Sequence, residues 1–277
     1  METLGVRLIM NKKNSIALAL AMVLGLTITT SHAQFGPPVS PPADGLKEMT
    51  GSPFPKGQYA QLDKLPDWGG AWFRGFSMPA PGSAPPAQPK LKGKYKKGYE
   101  AYMAEAAANN GMVKSTTPTC QAPGMPIFMQ IPQYPYEFLF TPGRITINQE
   151  AWTQTRRIWT DGRKHPVDPD PSFFGHSTAY WEGEALVIDT IGINDSLDIG
   201  QGMKHSDKLH ISERIYLKPG DPDTLIAELI LNDPEALEEP FSTSFFYKRD
   251  RYGDLIEFQC AENNRNKVDA EGNILFH

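Results

Sequence analysis

The sequence predicts a mainly β protein whose antiparallel strands close into a barrel, and three observations carry that prediction. From about residue 134 onward, short segments rich in Val, Ile, Thr and aromatic residues alternate in polarity, the period of a half-buried strand. Turn signals separate them every ten residues or so, at Pro142-Gly143, Asp161-Gly162, Glu182-Gly183-Glu184, Pro219-Gly220 and Asn232-Asp233-Pro234. The chain also carries 25 Pro and 24 Gly in 277 residues, a composition suited to many turns.

Taken in order, the first element is a secretory signal. "MNKKNSIALALAMVLGLTITTSHAQ" starts at Met10 with Lys12 and Lys13, continues through an apolar stretch from Ile16 to Ile28, and ends in the small residues Ser31 and Ala33. That pattern predicts residues 1–33 as a leader cut after Ala33, and its apolar part is short of the roughly 20 residues a bilayer span needs. No later run is long enough to span a membrane, and the leader gives the periplasm as the expected location, with the extracellular space as the alternative. Residues 34–66, beginning "QFGPPVSPPADGLKEMTGSPFPKG", lack periodicity and read as a Pro/Gly-rich linker.

Residues 67–277 are expected to form a single domain. "DWGGAWFRGF" is a short aromatic strand, and "LKGKYKKGYEAYMAEAAANNG" predicts a helix at about 91–110. Its Tyr95, Tyr99, Tyr102, Met103 and Ala106 share one face, and Gly111 stops it. Then come the strands "YEFLF", "RITINQ", "AWTQTRRIWT", "STAYW", "ALVIDTIGI", "KLHISERIYL", "TLIAELIL", "STSFFYKRD" and "DLIEFQC". Nine or so strands, mostly in hairpins, must hide their edges, and closure does so. The expected architecture is a calycin- or lipocalin-like barrel with an interior large enough for one small ligand, a two-sheet sandwich being the alternative.

Composition and missing motifs exclude several functions. A formal net charge of -5 without a long basic run argues against nucleic-acid partners, and 40% hydrophobic residues argue against global disorder. There is no G-x-S-x-G elbow, Gly-rich phosphate loop, C-x-x-C or C-x-x-C-H, so serine-hydrolase, nucleotide and cytochrome readings lose their usual support. An oxidising compartment favours pairing Cys120 with Cys260, closing a loop worth roughly 4–5 kcal/mol on the chain-entropy view. A reactive thiol at either position is the alternative.

Strand alternation selects candidate site residues. In "LHISERIYL", Leu209, Ile211, Glu213, Ile215 and Leu217 share a face, which pushes the Glu213 carboxylate toward the barrel interior. Such a carboxylate suits acid–base work or a bridge to Arg156 or Arg157 from another strand. These adjacent arginines must point opposite ways, and the inward one would bind an anion or pair with Glu213 or Asp189. Asp189 in "LVIDTIG" shares a face with Val187 and Ile191, again a carboxylate among apolar neighbours.

His165, His176 and His205 fall on connections, and His210 opens a strand. The Pro-stiffened loop "DGRKHPVDPDPSFFGHS" has the length of a functional lid. His176, His205, His210, Glu213 and Asp189 are therefore the catalytic candidates. Arg156, Arg157, Trp159, His165, Phe174, Asn194 and Asn263 are the candidate substrate contacts. Each has a structural reading beside it: a loop hydrogen bond for the histidines, turn chemistry for Glu262-Asn263-Asn264. The five-residue spacing of His205 and His210 fits neither a helical nor a tight strand pair of zinc ligands. A set of His176, His205 and His210 with Asp161 or Glu213 is sterically possible but not demanded, so neither metal nor organic cofactor is expected.

The motifs "CQAPGMP", "PYEFLF", "RRIWTDGRKHP", "GHS", "WEGEALVIDT", "HSDKLH" and "CAENN" occur in that order. From about Asp67 to Arg265 the chain resembles a large family of secreted proteins of Gram-negative bacteria built on these motifs. Glu184-Ala185 stands where Asp-Thr is commoner, at a hairpin. The resemblance implies a secreted β protein and carries no activity with it. The residues themselves lead to the expectation of a small apolar or aromatic ligand, transformed by imidazole and carboxylate chemistry of lyase, isomerase, hydratase or hydrolase type. A non-catalytic carrier and a structural protein with a polar seam are the alternatives.

Overall fold

The computed structural model describes residues 59–76, 86–111 and 121–259. Nine strands close into a barrel, as the alternation predicts. Strand β1 (Ala71–Arg74) is followed by helix α1 (Gly93–Ala108), then β2 (Tyr136–Thr141), β3 (Arg144–Gln149) and β4 (Thr155–Trp159). After a long connection come β5 (His176–Glu182), β6 (Ala185–Ile191), β7 (Asp198–Gly200), β8 (Met203–Lys204), β9 (His210–Lys218), β10 (Asp221–Asn232) and β11 (Phe241–Asp250). Around the barrel the order is β1-β11-β10-β9-β6-β5-β4-β3-β2, closed where Trp72 of β1 pairs with Tyr136 of β2. Strands β7 and β8 form a separate two-stranded sheet.

Four of the predicted turns are where hairpins bend, and Gly143, Gly183 and Gly220 each take positive φ there, while Asp161-Gly162 instead opens the connection between the parallel strands β4 and β5. "DLIEFQC" corrects the sequence reading, because residues 253–259 are not strand. β11 already pairs with β10 on one side and β1 on the other, so no edge remains to receive another strand. Trp152 also leaves the predicted strand. It sits with φ 59° in a short 3-10 turn, and β4 begins only at Thr155.

The helix ends at Ala108 through Asn110 and Gly111, both at positive φ, as the Asn-Asn-Gly signal predicts. None of its residues is fully buried, but Tyr95 and Tyr99 pack on the core from outside.

Side chains fill the barrel's inner wall. Trp72, Tyr136, Ile147, Ile158, Leu186, Ile211, Ile215, Leu229 and Tyr247 are fully buried. Between them lies a polar knot. Arg156 Nη1 donates to Glu213 Oε1 at 3.0 Å, and Nη2 donates to Glu213 Oε2, to Thr190 Oγ1 at 3.1 Å and to Ser177 Oγ at 3.3 Å. The side chains of both ions are 0% exposed. Alternation thus places Arg156 and Glu213 inside, as expected, and of the two arginines it is Arg156 that pairs.

Candidate functional site

The seam between β4 and β5 shapes the candidate site. It is the barrel's parallel pairing and spans only Ile158↔Ser177 and Trp159↔Thr178. Parallel neighbours cannot be joined by a tight hairpin, so residues 160–175 must cross over the outer wall. Arg163 starts the crossing, bonded through Nη2 to Asp161 Oδ2 at 2.7 Å, with its guanidinium 3.6 Å from the centre of the Trp159 ring. Ser172 N donates to Gly192 O and Asn194 N donates to Ser172 O, which ties the loop's end to the end of β6. Gly175 completes the return at φ 63°, where an added Cβ would lie 2.4 Å from Ile191 O. A side chain there would displace the backbone that delivers His176.

The loop brings His165 over the outer face of β5 and β6. Its Nε2 donates to Asp189 Oδ2 at 3.0 Å, and Thr178 Oγ1 lies 3.2 Å from the same nitrogen. His165 Nδ1 lies 2.9 Å from His176 Nδ1. From β9, His210 Nε2 bonds the other oxygen, Asp189 Oδ1. The four side chains form one chain, His176–His165–Asp189–His210, assembled from the loop and the outer faces of β5, β6 and β9.

These contacts fix the protons. A carboxylate only accepts, so His165 carries its proton on Nε2. Neutral His165 then accepts at Nδ1, and His176 carries its proton on Nδ1. Its Nε2 is left as the acceptor of the chain.

His176 lines an outer cleft of about 650 Å³, together with Gln154, Arg157, Trp159, Phe173 and Phe174. Phe174 is braced edge-on against Phe128 at 4.9 Å. Burial first, then the nearness of His165 and Arg163, push the His176 pKa down from 6.5 to about 4 against the pull of Asp161. The ring is therefore neutral, and able to accept, at neutral pH.

The geometry corrects the expected site in several places. The imidazoles do not gather around inward acids, because Asp189 is outward. Leu186, Ile188 and Thr190 are the buried set of β6, and the Asp189 side chain is 45% exposed. Glu213 meets Arg156 inside the wall and no histidine.

His205 belongs to neither group. It is 1% exposed, its Nδ1 donates to Ser206 O at 2.7 Å, and its buried Nε2 has no hydrogen-bond partner among the described residues. The zinc set of His176, His205 and His210 with Asp161 or Glu213 is accordingly dispersed. Among the described residues no group of three or more His, Cys, Asp or Glu is arranged to hold a metal ion.

Asn194 is turn chemistry, its Oδ1 accepting from Ser196 N at 2.9 Å. Cys120, Cys260 and Asn263 lie outside the described residues. Thr178 and Gln154 were missed. Thr178 could have been found from the same alternation, since it shares the outer face of β5 with His176.

One prediction follows from the His176 ring. Between pH 6.5 and about 4 the unfolded chain binds a proton that the folded chain refuses. Stability therefore falls as pH drops through that window and levels off below it, by about 1–2 kcal/mol after allowing for solvent at this partly exposed ring. His205, also lowered by burial, acts in the same direction. Urea unfolding at pH 7 and 4.5 should show the loss, and His176→Gln should shrink it. An unchanged pH difference in that variant would assign the effect elsewhere.

The fold and site define a closed β-barrel with an imidazole–carboxylate chain on its outer wall, ending at a cleft. The chain matches no protein-family profile and no curated protein.

Proposed function

We propose that this chain is a periplasmic barrel enzyme of the secreted family its motifs resemble, acting on a small aromatic molecule bound in the cleft beside His176. The observation that carries the reading is the hydrogen-bonded run from Asp189 through His165 to His176, which ends on a cleft with aromatic side chains. His176 Nε2 takes a proton from the substrate, and the imidazolium so formed is held by His165. The Asp189 carboxylate stabilises the pair and orients His165. That chemistry serves elimination, isomerisation, hydration or hydrolysis without an organic cofactor. No role in catalysis is assigned to Glu213 or His205, which contact neither the cleft nor the chain.

A panel of small aromatic compounds tests the reading. Binding should shift the His176 ring resonances, and at least one binder should be consumed by the native protein and left intact by His176→Gln. Binders that shift His176 but are never consumed would leave a carrier in place of an enzyme. Binders that leave His176 unmoved would overturn the site itself.

A further inference from the structure

The substrate's charge can be inferred from the arginines. Eight arginines are described, and seven engage their side chains. Arg156 pairs with Glu213, Arg163 with Asp161, Arg214 with Glu182, and Arg249 and Arg251 with Asp67 and Asp223. Arg74 packs on Phe245 and Arg144 on Trp159. Arg157 alone among them has no ion pair, hydrogen bond or ring contact from its side chain to another described residue, and it lines the His176 cleft.

Among the described residues, that cleft's lining contains no aspartate or glutamate. In a chain of net charge -5, a wall with a spare guanidinium and no acid is a local reversal of sign. Gln154 adds an uncommitted amide, while Trp159, Phe173 and Phe174 supply apolar ring surface. A guanidinium presents a planar fork that matches a carboxylate in a bidentate pair.

We propose that the substrate is a small aromatic carboxylate, its anion held by Arg157 and its ring by Phe174 and Trp159 beside His176. This rests on the reading of the cleft as the substrate site and adds its charge class. A carboxylate at Arg157 would also raise the depressed pKa of His176, improving it as a proton acceptor.

Benzoate and its neutral isostere benzamide are the probes, each titrated into the full chain while the His176 ring is followed by NMR. Benzoate should bind at least about tenfold tighter than benzamide and raise the His176 pKa. Arg157→Gln should bring the two probes within about twofold of each other, and Arg157→Lys should fall between. Circular dichroism checks that these exposed-site variants remain folded, and Thr146, which faces Arg157 across β3–β4, takes the corresponding control substitution Thr146→Ser. Equal binding of both probes at His176 would overturn the carboxylate inference and leave the cleft reading standing. No perturbation of His176 by either probe would overturn both.

Discussion

Replacing Glu213 by alanine is expected to cost about 3–5 kcal/mol of folding stability, the scale for breaking a buried ion pair. The guanidinium of Arg156 would be left inside the barrel with only Ser177 and Thr190 as acceptors, and it cannot shed its proton. Arg156→Met should cost less, since a stranded carboxylate can be neutralised by taking up a proton. The double variant Arg156→Met with Glu213→Leu should recover most of the loss, because it removes both desolvation penalties and fills similar volume. The knot is also imperfect, since Arg156 Nε is buried without a partner among the described residues. Urea unfolding followed by tryptophan fluorescence would measure all three. A single-variant cost below about 1 kcal/mol would mean that water reaches the pair, contrary to its full burial. The pairing would also hold register, because Arg156 on β4 reaches across β5 and β6 to Glu213 on β9.

That ion pair was legible in the sequence for a simple reason. In "LHISERIYL" the partners of Glu213 at every second position are Leu or Ile, and the opposite face is His, Ser, Arg and Tyr. One polarity contrast therefore fixes which face is inside. "RRI" yields to the same test, because two adjacent residues on a strand cannot both be inward.

Asp189 was harder to read. "ALVIDTI" is apolar on both faces, since β6 packs inward on the core while the crossing loop runs over its outer side. With both faces covered, alternation no longer tells in from out. His165 could not be assigned to Asp189 either. The contact spans 24 positions and depends on the path of a loop held by backbone bonds at Ser172 and Asn194. The parallel β4–β5 seam that creates the cleft leaves no local mark in sequence beyond a connection too long for a hairpin. Likewise "DLIEFQC" has strand chemistry but meets a closed barrel, a restriction set by topology and not by the segment.

On the proposed reading of the cleft, Asp189→Asn is expected to lower turnover by about 10²–10⁴-fold, in the range for general acid–base catalysis, while leaving the fold intact. The side chain is surface-exposed and keeps its shape, so packing changes little. What changes is the proton inventory. The carboxylate can only accept, which compels His165 to hold its proton on Nε2 and so to accept at Nδ1 from His176. An amide can donate instead. With its NH2 turned to His165, that ring would carry its proton on Nδ1, and His176 would have to accept there and place its own proton on Nε2. The nitrogen left to receive the substrate's proton would then be a donor.

Two-dimensional ¹H–¹⁵N spectra of the ring nitrogens read this directly and need no substrate. Wild type should show His176 protonated at Nδ1, and Asp189→Asn should show a mixture or a reversal. His210→Gln is the counterpart, since it touches the other carboxylate oxygen and lies beyond the relay. It should leave the His176 tautomer in place and reduce turnover only modestly. If His210→Gln and Asp189→Asn were equally damaging and neither moved the tautomer, Asp189 would be holding the outer wall together and not setting the state of the base.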